Sequence, residues 1–461
     1  MSGAGPPQGT RPLGGAARSD ARGDTTAAGP PQGTRPLGGT ARSDARGDHT
    51  SVALDPGLRT PRFSALPPLS LYVHIPWCLK KCPYCDFNSH EQRGAIPEAQ
   101  YVDALISDLE FALPSIWGRR IGTVFFGGGT PSLFASEAID RILAAIRARV
   151  PLSPDAEITL EANPGTFEQQ KFAEFRAAGI NRLSLGVQSF DPRHLAALGR
   201  VHDEFEARAA GAAAIEIFGN VNFDLMYGLP GQTPADASAD VAAALEFSPP
   251  HLSFYQLTIE PNTLFHRHPP RLPQEDAMAD IEDAVDAALA RAGYAHYETS
   301  AHAQPGRECR HNLNYWRFGD YLGIGAGAHS KLSFPDKVLR QVRYKQPQQY
   351  IERAARGAAL QEEHAIARED MGFEFMLNAM RLTEGVPVAM FAERTGFPLT
   401  LVQQPLDEAE RRGLIERDHV NIRPTALGRR FLNDLQTLFL PAGARAVGVP
   451  TQPITMERLV P

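Results

Sequence analysis

Cys78, Cys82 and Cys85 stand in a C-x3-C-x2-C spacing within LYVHIPWCLKKCPYCDFNSH, residues 71–90. Three thiolates on one short loop can hold three irons of a four-iron, four-sulfur cluster, leaving the fourth iron open for a substrate or cofactor. Two other chemistries use clustered cysteines. Zinc, with His74 or His90 as fourth ligand, usually draws its ligands as two separated pairs, and no second C-x2-C exists here. A disulfide framework suits poorly a chain with four cysteines in 461 residues, a usage typical of reducing compartments. The cluster ranks above zinc, and zinc above a disulfide.

The elements that position these thiols follow from hydrophobic patterning. The run 69–75 ahead of the cysteines reads as a first strand, so the loop sits at a strand's C-terminal end. Further β-like runs fall at 121–126, 157–161, 181–187, 220–226 and 251–258. Helical patterns separate them, over Tyr101–Leu113, Ser136–Val150, Glu168–Ala178, Asp203–Ile217 and Pro234–Phe247. Six strand–helix units in succession predict an α/β fold with a parallel sheet, too few for a closed eight-stranded barrel and right for an open, partial one. Strand ends in such folds collect the chemistry. Here they carry GGGTPS (Gly127–Ser132), Glu161, Gln188 and Asp224, with Arg200 on the loop after the fourth strand. Consecutive glycines let backbone approach a ligand closely. Taken singly, each polar residue is an ordinary capping or solvated group; together on successive strand ends they mark a site.

C-x3-C-x2-C after a first strand resembles the radical S-adenosylmethionine (SAM) superfamily. YVHIPWC…CPYCDFNSH is similar to its branch of oxygen-independent coproporphyrinogen III oxidases and their relatives, the heme chaperones. The resemblance implies a partial (β/α)6 barrel, a 4Fe–4S cluster on Cys78, Cys82 and Cys85, and SAM chelated at the open iron. It implies that Tyr72, Gly128 and Glu161 contact the cluster-bound SAM. Tyr84, Gly129, Thr130, Gln188, Arg200 and Asp224 match positions that contact SAM molecules, several of them at a second SAM. HNLNYW (His311–Trp316) resembles the HNxxYW motif of the heme chaperones, which makes His311 a candidate axial ligand for heme, with Tyr315 and Trp316 flanking the macrocycle. Cys309 is a second candidate heme ligand.

One position separates the two activities in this branch. The oxidases carry a further cysteine two positions after the third, where this chain has Phe87, a side chain with no proton or hydrogen atom to donate. The resemblance therefore implies a heme chaperone that passes heme to respiratory apoproteins, with a bacterioferritin-like protein as heme donor and no catalytic residue assigned. The alternative is oxidative decarboxylation of coproporphyrinogen III.

The remaining sequence bounds the organisation. Hydrophobic residues make up 43% and charged residues 21%, as in ordinary globular proteins. A net charge of −7 gives no reason to propose a nucleic-acid surface. No apolar run approaches the roughly 20 residues that span a bilayer, and no apolar leader opens the chain, so the expected compartment is the cytoplasm. Gly5–Asp24 returns as Gly29–Asp48 with Ala16 against Thr40 the only difference. Neither copy has an aromatic residue, so 1–66 reads as a disordered tail. Residues 67–366 form the barrel. GIGAGA (Gly323–Ala328) is expected as a strand edge facing the site and not as a dinucleotide fingerprint, because no helix pattern follows it. Residues 367–440 read as helices (Glu374–Leu382, Pro387–Thr395, Leu401–Arg412, Thr425–Leu438) with a small β-wing over Gly413–Thr425, a winged-helix-like unit, and 441–461 as a flexible tail.

Overall fold

A computed structural model describes residues 59–165 and 169–441. The tandem repeat, the tail beyond residue 441 and the expected start of the third helix lie outside the described residues.

Six strands follow one another in parallel: β1 (Leu69–Ile75), β2 (Ile121–Gly128), β3 (Leu152–Ala162), β4 (Arg182–Gln188), β5 (Val221–Tyr227) and β6 (His251–Gln256). Between them lie α1 (Glu98–Ala112), α2 (Ser136–Arg149), α3 (Phe172–Ala178), α4 (Glu204–Phe218) and α5 (Pro234–Leu245). All seven residues of β1 are buried, as expected for a central parallel strand covered on both faces. Isoleucines 139, 142 and 146 and Leu143, at helical spacing, turn one stripe of α2 into the core. Local signals set the boundaries. Asp203 and Glu206 close a capping box at the start of α4, and Gly219 ends it in the left-handed region (φ 63°). Thr233 and Asp236 repeat the box on α5, with Pro234 in the first turn.

The sheet is wider than six strands. Its remaining members are β7 (Ala295–Glu298), β8 (Ala301–Ala303), β9 (Asp320–Ile324), β10 (His329–Phe334), β11 (Lys337–Arg343) and β12 (Leu360–Ala365). Among the described residues the order is β12-β11-β10-β9-β1-β2-β3-β4-β5-β6-β8-β7, with β9 parallel to β1 and the outer strands antiparallel. Asp320 anchors β9: it is fully buried, paired with Arg119 (2.8 Å) and Lys331 (2.9 Å), and accepts from Ser333. GIGAGA is not a strand edge along its length. Gly323 and Ile324 end β9, and Gly325 and Gly327, both at positive φ, turn the chain into β10.

A second hydrophobic cluster joins the C-terminal elements α8 (Arg368–Ala379), α9 (Val388–Thr395), α10 (Gln403–Arg411) and α12 (Leu432–Thr437) to α7 (Arg310–Trp316), through Tyr315, Trp316 and Phe375; α11 (Ala426–Arg430) precedes α12 outside the cluster. α8 starts six residues before the expected Glu374. Pro405 falls in the first turn of α10, where a missing N–H costs nothing. The single helix expected over Thr425–Leu438 breaks at Phe431, whose backbone (φ −113°, ψ 44°) is not helical. A three-stranded sheet of β13 (Val386–Pro387), β14 (Ile415–Arg417) and β15 (Asn421–Pro424) contains the expected wing.

Candidate functional site

The cysteine loop leaves β1 at Pro76 and is folded by its own polar groups. Lys81 Nζ donates to the carbonyls of Phe87 and Ser89, both at 3.1 Å. Asn88 Nδ2 donates to Ala326 O and Lys345 O, both at 2.9 Å, so the GIGAGA turn braces the loop from outside. His74 Nε2 faces the Asn88 carbonyl (3.0 Å) and therefore carries the proton, leaving Nδ1 to accept from the Tyr72 hydroxyl (3.1 Å). Burial holds this imidazole neutral, down at about 4. With both nitrogens used, His74 acts as a prop beneath the loop and is not disposed as a zinc ligand.

The three glycines at the end of β2 and just beyond it are explained by what a Cβ would strike. At Gly127 it meets the rings of Phe125 and Tyr72 at 3.0 Å; at Gly128 (φ 119°) the His74 imidazole at 2.6 Å; at Gly129 the Trp77 carbonyl at 2.5 Å. Only glycine lets this segment lie against the cysteine loop. Gly129 and Thr130 N–H groups are spent on Ile75 O and Trp77 O, both 2.8 Å, and Gly128 N donates to Glu161 Oε2 (3.1 Å).

Opposite this cradle, the half-buried Arg200 reaches Cys82 Sγ (3.4 Å), Asn163 Oδ1 (2.7 Å) and Gly186 O (2.9 Å). Its Nε has no hydrogen-bond partner among the described residues. Asn163 also donates to Thr130 Oγ1 (3.0 Å), tying the glycine segment to the fourth strand's loop. Gln188 ends β4 with φ 69°, an uncommon backbone for a non-glycine residue and typical of a functional strand end. Deeper, Asp224 accepts from Ser184 and Asn222, both 2.8 Å. Burial raises the Asp224 carboxyl, and burial followed by the nearby Asp224 charge pushes Glu161 up to about 8, with the Gly128 N–H acting against the rise. Both carboxyls are raised by burial, so a cationic ligand, by favouring their charged forms, is well received here.

These side chains surround one cavity of about 660 Å³, and every residue singled out for cluster, SAM or heme lies on its wall, Cys309 excepted. Because that wall draws on β1 through β6, the sheet curls around the space. Arg429, Arg430 and Phe431 at the α11–α12 break add to it from the C-terminal side. Cys309 does not belong to the wall: it is 1% exposed and donates to Glu157 (3.7 Å). His311 lines the wall but is itself held. Thr123 Oγ1 donates onward to Ser70 (2.8 Å), so the proton in the 2.7 Å contact between Thr123 and His311 belongs to Nδ1. The Nε2 lone pair then accepts from the Tyr315 hydroxyl (2.9 Å), and burial takes the ring down to about 3.

The donor set fits a cluster. Three thiols that pair in no disulfide share one loop, burial keeps Cys78 protonated up to about 11 and raises Cys85, and metal binding would displace those protons. Arg200 at Cys82 and Ser89 at Cys85 (3.5 Å) supply the hydrogen bonds to sulfur that tune such centres. Sequence reasoning missed Asn88, Asn163 and Arg182, and the buried polar layer of Ser184, Asn222, His251 and Ser253. Its signal is there to read: in RLSLGVQ, VNFDLMY and HLSFYQ, polar residues recur at period two in otherwise apolar strands, so one whole strand face is polar and turned inward.

Comparison with known proteins points the same way. The radical SAM superfamily model matches residues 72–242, and the HemN C-terminal domain model matches 366–431. The heme chaperone HemW of Escherichia coli (strain K12) is 48% identical over 377 residues, covering 81% of this chain and 99% of the relative. The heme chaperone HemW of Mycobacterium tuberculosis is 40% identical over 74% of this chain and 89% of its own length. Coproporphyrinogen III oxidase (HemN) from Escherichia coli, a radical SAM enzyme, superposes with a TM-score of 0.70 at 27% identity, covering 83% of this chain and 91% of the oxidase. Among the described residues no helix is long and apolar enough to cross a membrane.

Proposed function

The chain belongs to the HemW heme chaperone family of the radical SAM superfamily, and we propose from that membership that it binds heme and delivers it to respiratory apoproteins. What carries this reading is identity of 48% along nearly the whole of a heme chaperone. Phe87 supports it, since the branch's oxidases use a cysteine at that position. The cluster would be held by Cys78, Cys82 and Cys85. SAM would lie over the glycine cradle, against Tyr72, Gly128 and Glu161, with Tyr84, Gly129, Thr130, Gln188, Arg200 and Asp224 around it. When bound, the cluster supplies an iron with an open coordination position and a source of single electrons.

The protein's own groups prepare that space. Arg200 places a positive charge beside the Cys82 sulfur, and Glu161 and Asp224 offer carboxylates to a cation. His311 Nε2 is the lone pair that heme iron would take, once the Tyr315 hydroxyl yields it. Donors such as a bacterioferritin-like protein, the respiratory recipients and a cytoplasmic location belong to this proposal.

The test uses anaerobically reconstituted protein in two portions. One is titrated with hemin and followed by absorbance; the other receives coproporphyrinogen III, SAM and reductant, followed by porphyrin analysis. Stoichiometric hemin binding without decarboxylation is expected. Turnover to protoporphyrinogen would overturn the assignment and make the protein an oxidase despite Phe87.

A further inference from the structure

A group of side chains with metal-ligand chemistry sits at the far edge of the sheet, away from the cysteine loop. Asp286 projects from α6 (Glu275–Arg291), His296 from β7 and His302 from β8. Their ligand atoms lie within 4.8 Å of one another. His302 Nε2 is 3.0 Å from Asp286 Oδ1, and His296 Nδ1 is 3.4 Å from Asp286 Oδ2.

The backbone is shaped to make this cluster. β7 and β8 pair antiparallel with Ala301 opposite Glu298, so a regular ladder would set His302 against Tyr297. A register shift between Ala301 and His302 sets His302 opposite His296 instead. The two imidazoles then share one face and stack at 4.1 Å between centroids. Bulges of this kind re-aim side chains at built sites.

The ring nitrogens are also disposed for a cation. His296 Nε2 faces the Thr299 carbonyl at 3.3 Å, which can only accept, so Nε2 carries the proton. Nδ1 is then aimed at a carboxylate oxygen, as a donor in the charged ring and, in the neutral ring, as a lone pair facing a second anionic donor. Either the ring takes a second proton, or a cation sits between the two atoms. A backbone carbonyl fixing the far nitrogen is the usual partner of a metal-bound histidine. The same three side chains and Glu282 wall a cavity of about 10 Å³, the space of a single ion or water. His302 is buried at its base while Asp286 is 42% exposed, which leaves a route in from solvent.

We propose that Asp286, His296 and His302 bind one divalent transition-metal ion, with Zn2+ as the expected occupant, and Glu282 or a water completing four-coordination. Such an ion ties the short edge hairpin β7–β8 to the helix that covers it.

Zinc also binds free cysteines, so the experiment uses full-length protein whose cluster has been reconstituted. It is titrated anaerobically with Zn2+ against a chromogenic chelator, with zinc and iron per chain measured on the recovered protein. Wild type is expected to hold one zinc per chain. Asp286→Asn and His296→Asn, at partly exposed positions, are expected to keep their iron and circular dichroism yet bind zinc about 100-fold more weakly or worse, as befits loss of a direct ligand. Failure of wild type to take zinc from the chelator overturns the proposal and leaves Asp286 as an ion-pair partner of a protonated His296. Unchanged zinc affinity in whichever variant keeps its iron overturns it equally, by placing the ion elsewhere.

Discussion

Replacing Glu161 with glutamine should stabilise the SAM-free protein, and only at neutral to alkaline pH. Its carboxyl is pushed from 4.5 up to about 8, first by burial and then by Asp224. The folded state therefore holds a proton that the unfolded chain releases near pH 4.5. A raised carboxyl contributes its full stability below the unfolded value, and that contribution is lost as pH rises through the folded one. At about 1.4 kcal/mol per pKa unit, the loss between pH 4.5 and 8 approaches roughly 5 kcal/mol. A glutamine amide stays neutral and can still accept from Gly128 N, so the variant should escape this loss. Anaerobic urea unfolding of cluster-loaded, SAM-free protein, followed by circular dichroism, should show the two proteins within about 1 kcal/mol of each other at pH 5 and the variant ahead by roughly 2–4 kcal/mol at pH 8.5. The same variant should bind SAM more weakly, because it cannot supply a negative charge. Asp224→Asn, which removes the second cause, should move the wild-type transition to lower pH. Parallel stability profiles for wild type and Glu161→Gln would refute the reasoning, since Glu161 would then ionise equally in both states.

Gly128→Ala should lower stability by roughly 3 kcal/mol or more and reduce cluster content, since its Cβ would strike the doubly bonded His74 ring; Gly219→Ala, also at positive φ but in open space, should cost about 1–2 kcal/mol. Chemical denaturation with iron analysis compares them, and equal losses would mean that the contact with His74 is unimportant. Asp320→Asn should cost roughly 3–5 kcal/mol in the same denaturation assay, because Lys331, 1% exposed, loses the carboxylate that offsets the desolvation of its charge. His311→Ala should weaken hemin binding while iron and sulfide content stay intact, and Tyr315→Phe should strengthen it by freeing Nε2. Hemin titrations unmoved by either change would remove His311 as the ligand.

The cysteine spacing, the six strand–helix units and the polar strand ends were all readable along the chain, for one reason. Each is a local periodicity or a short-range spacing, which neighbouring residues set among themselves. The capping boxes at Asp203 and Thr233 and the wing between the last helices belong to the same class. The glycine triplet was legible as a close-approach segment, but not what it approaches. The His74 imidazole and the Trp77 carbonyl come from 50 or more residues away, and only the pairing of β1 with β2 sets them there. The outer strands escaped notice because antiparallel edges are short and half polar, as in LQEEHA of β12. The break at Phe431 escaped because helical patterning runs through it. His311 shows the division most plainly. Its motif was visible in HNLNYW, yet which nitrogen bears the proton and which is offered to the cavity depends on Ser70, Thr123 and Tyr315. Those partners come from β1, β2 and the far end of α7. Sequence determines which groups the chain owns and which elements carry them; the curl of the sheet, by bringing six strand ends around one space, decides which of those groups meet and in what protonation state.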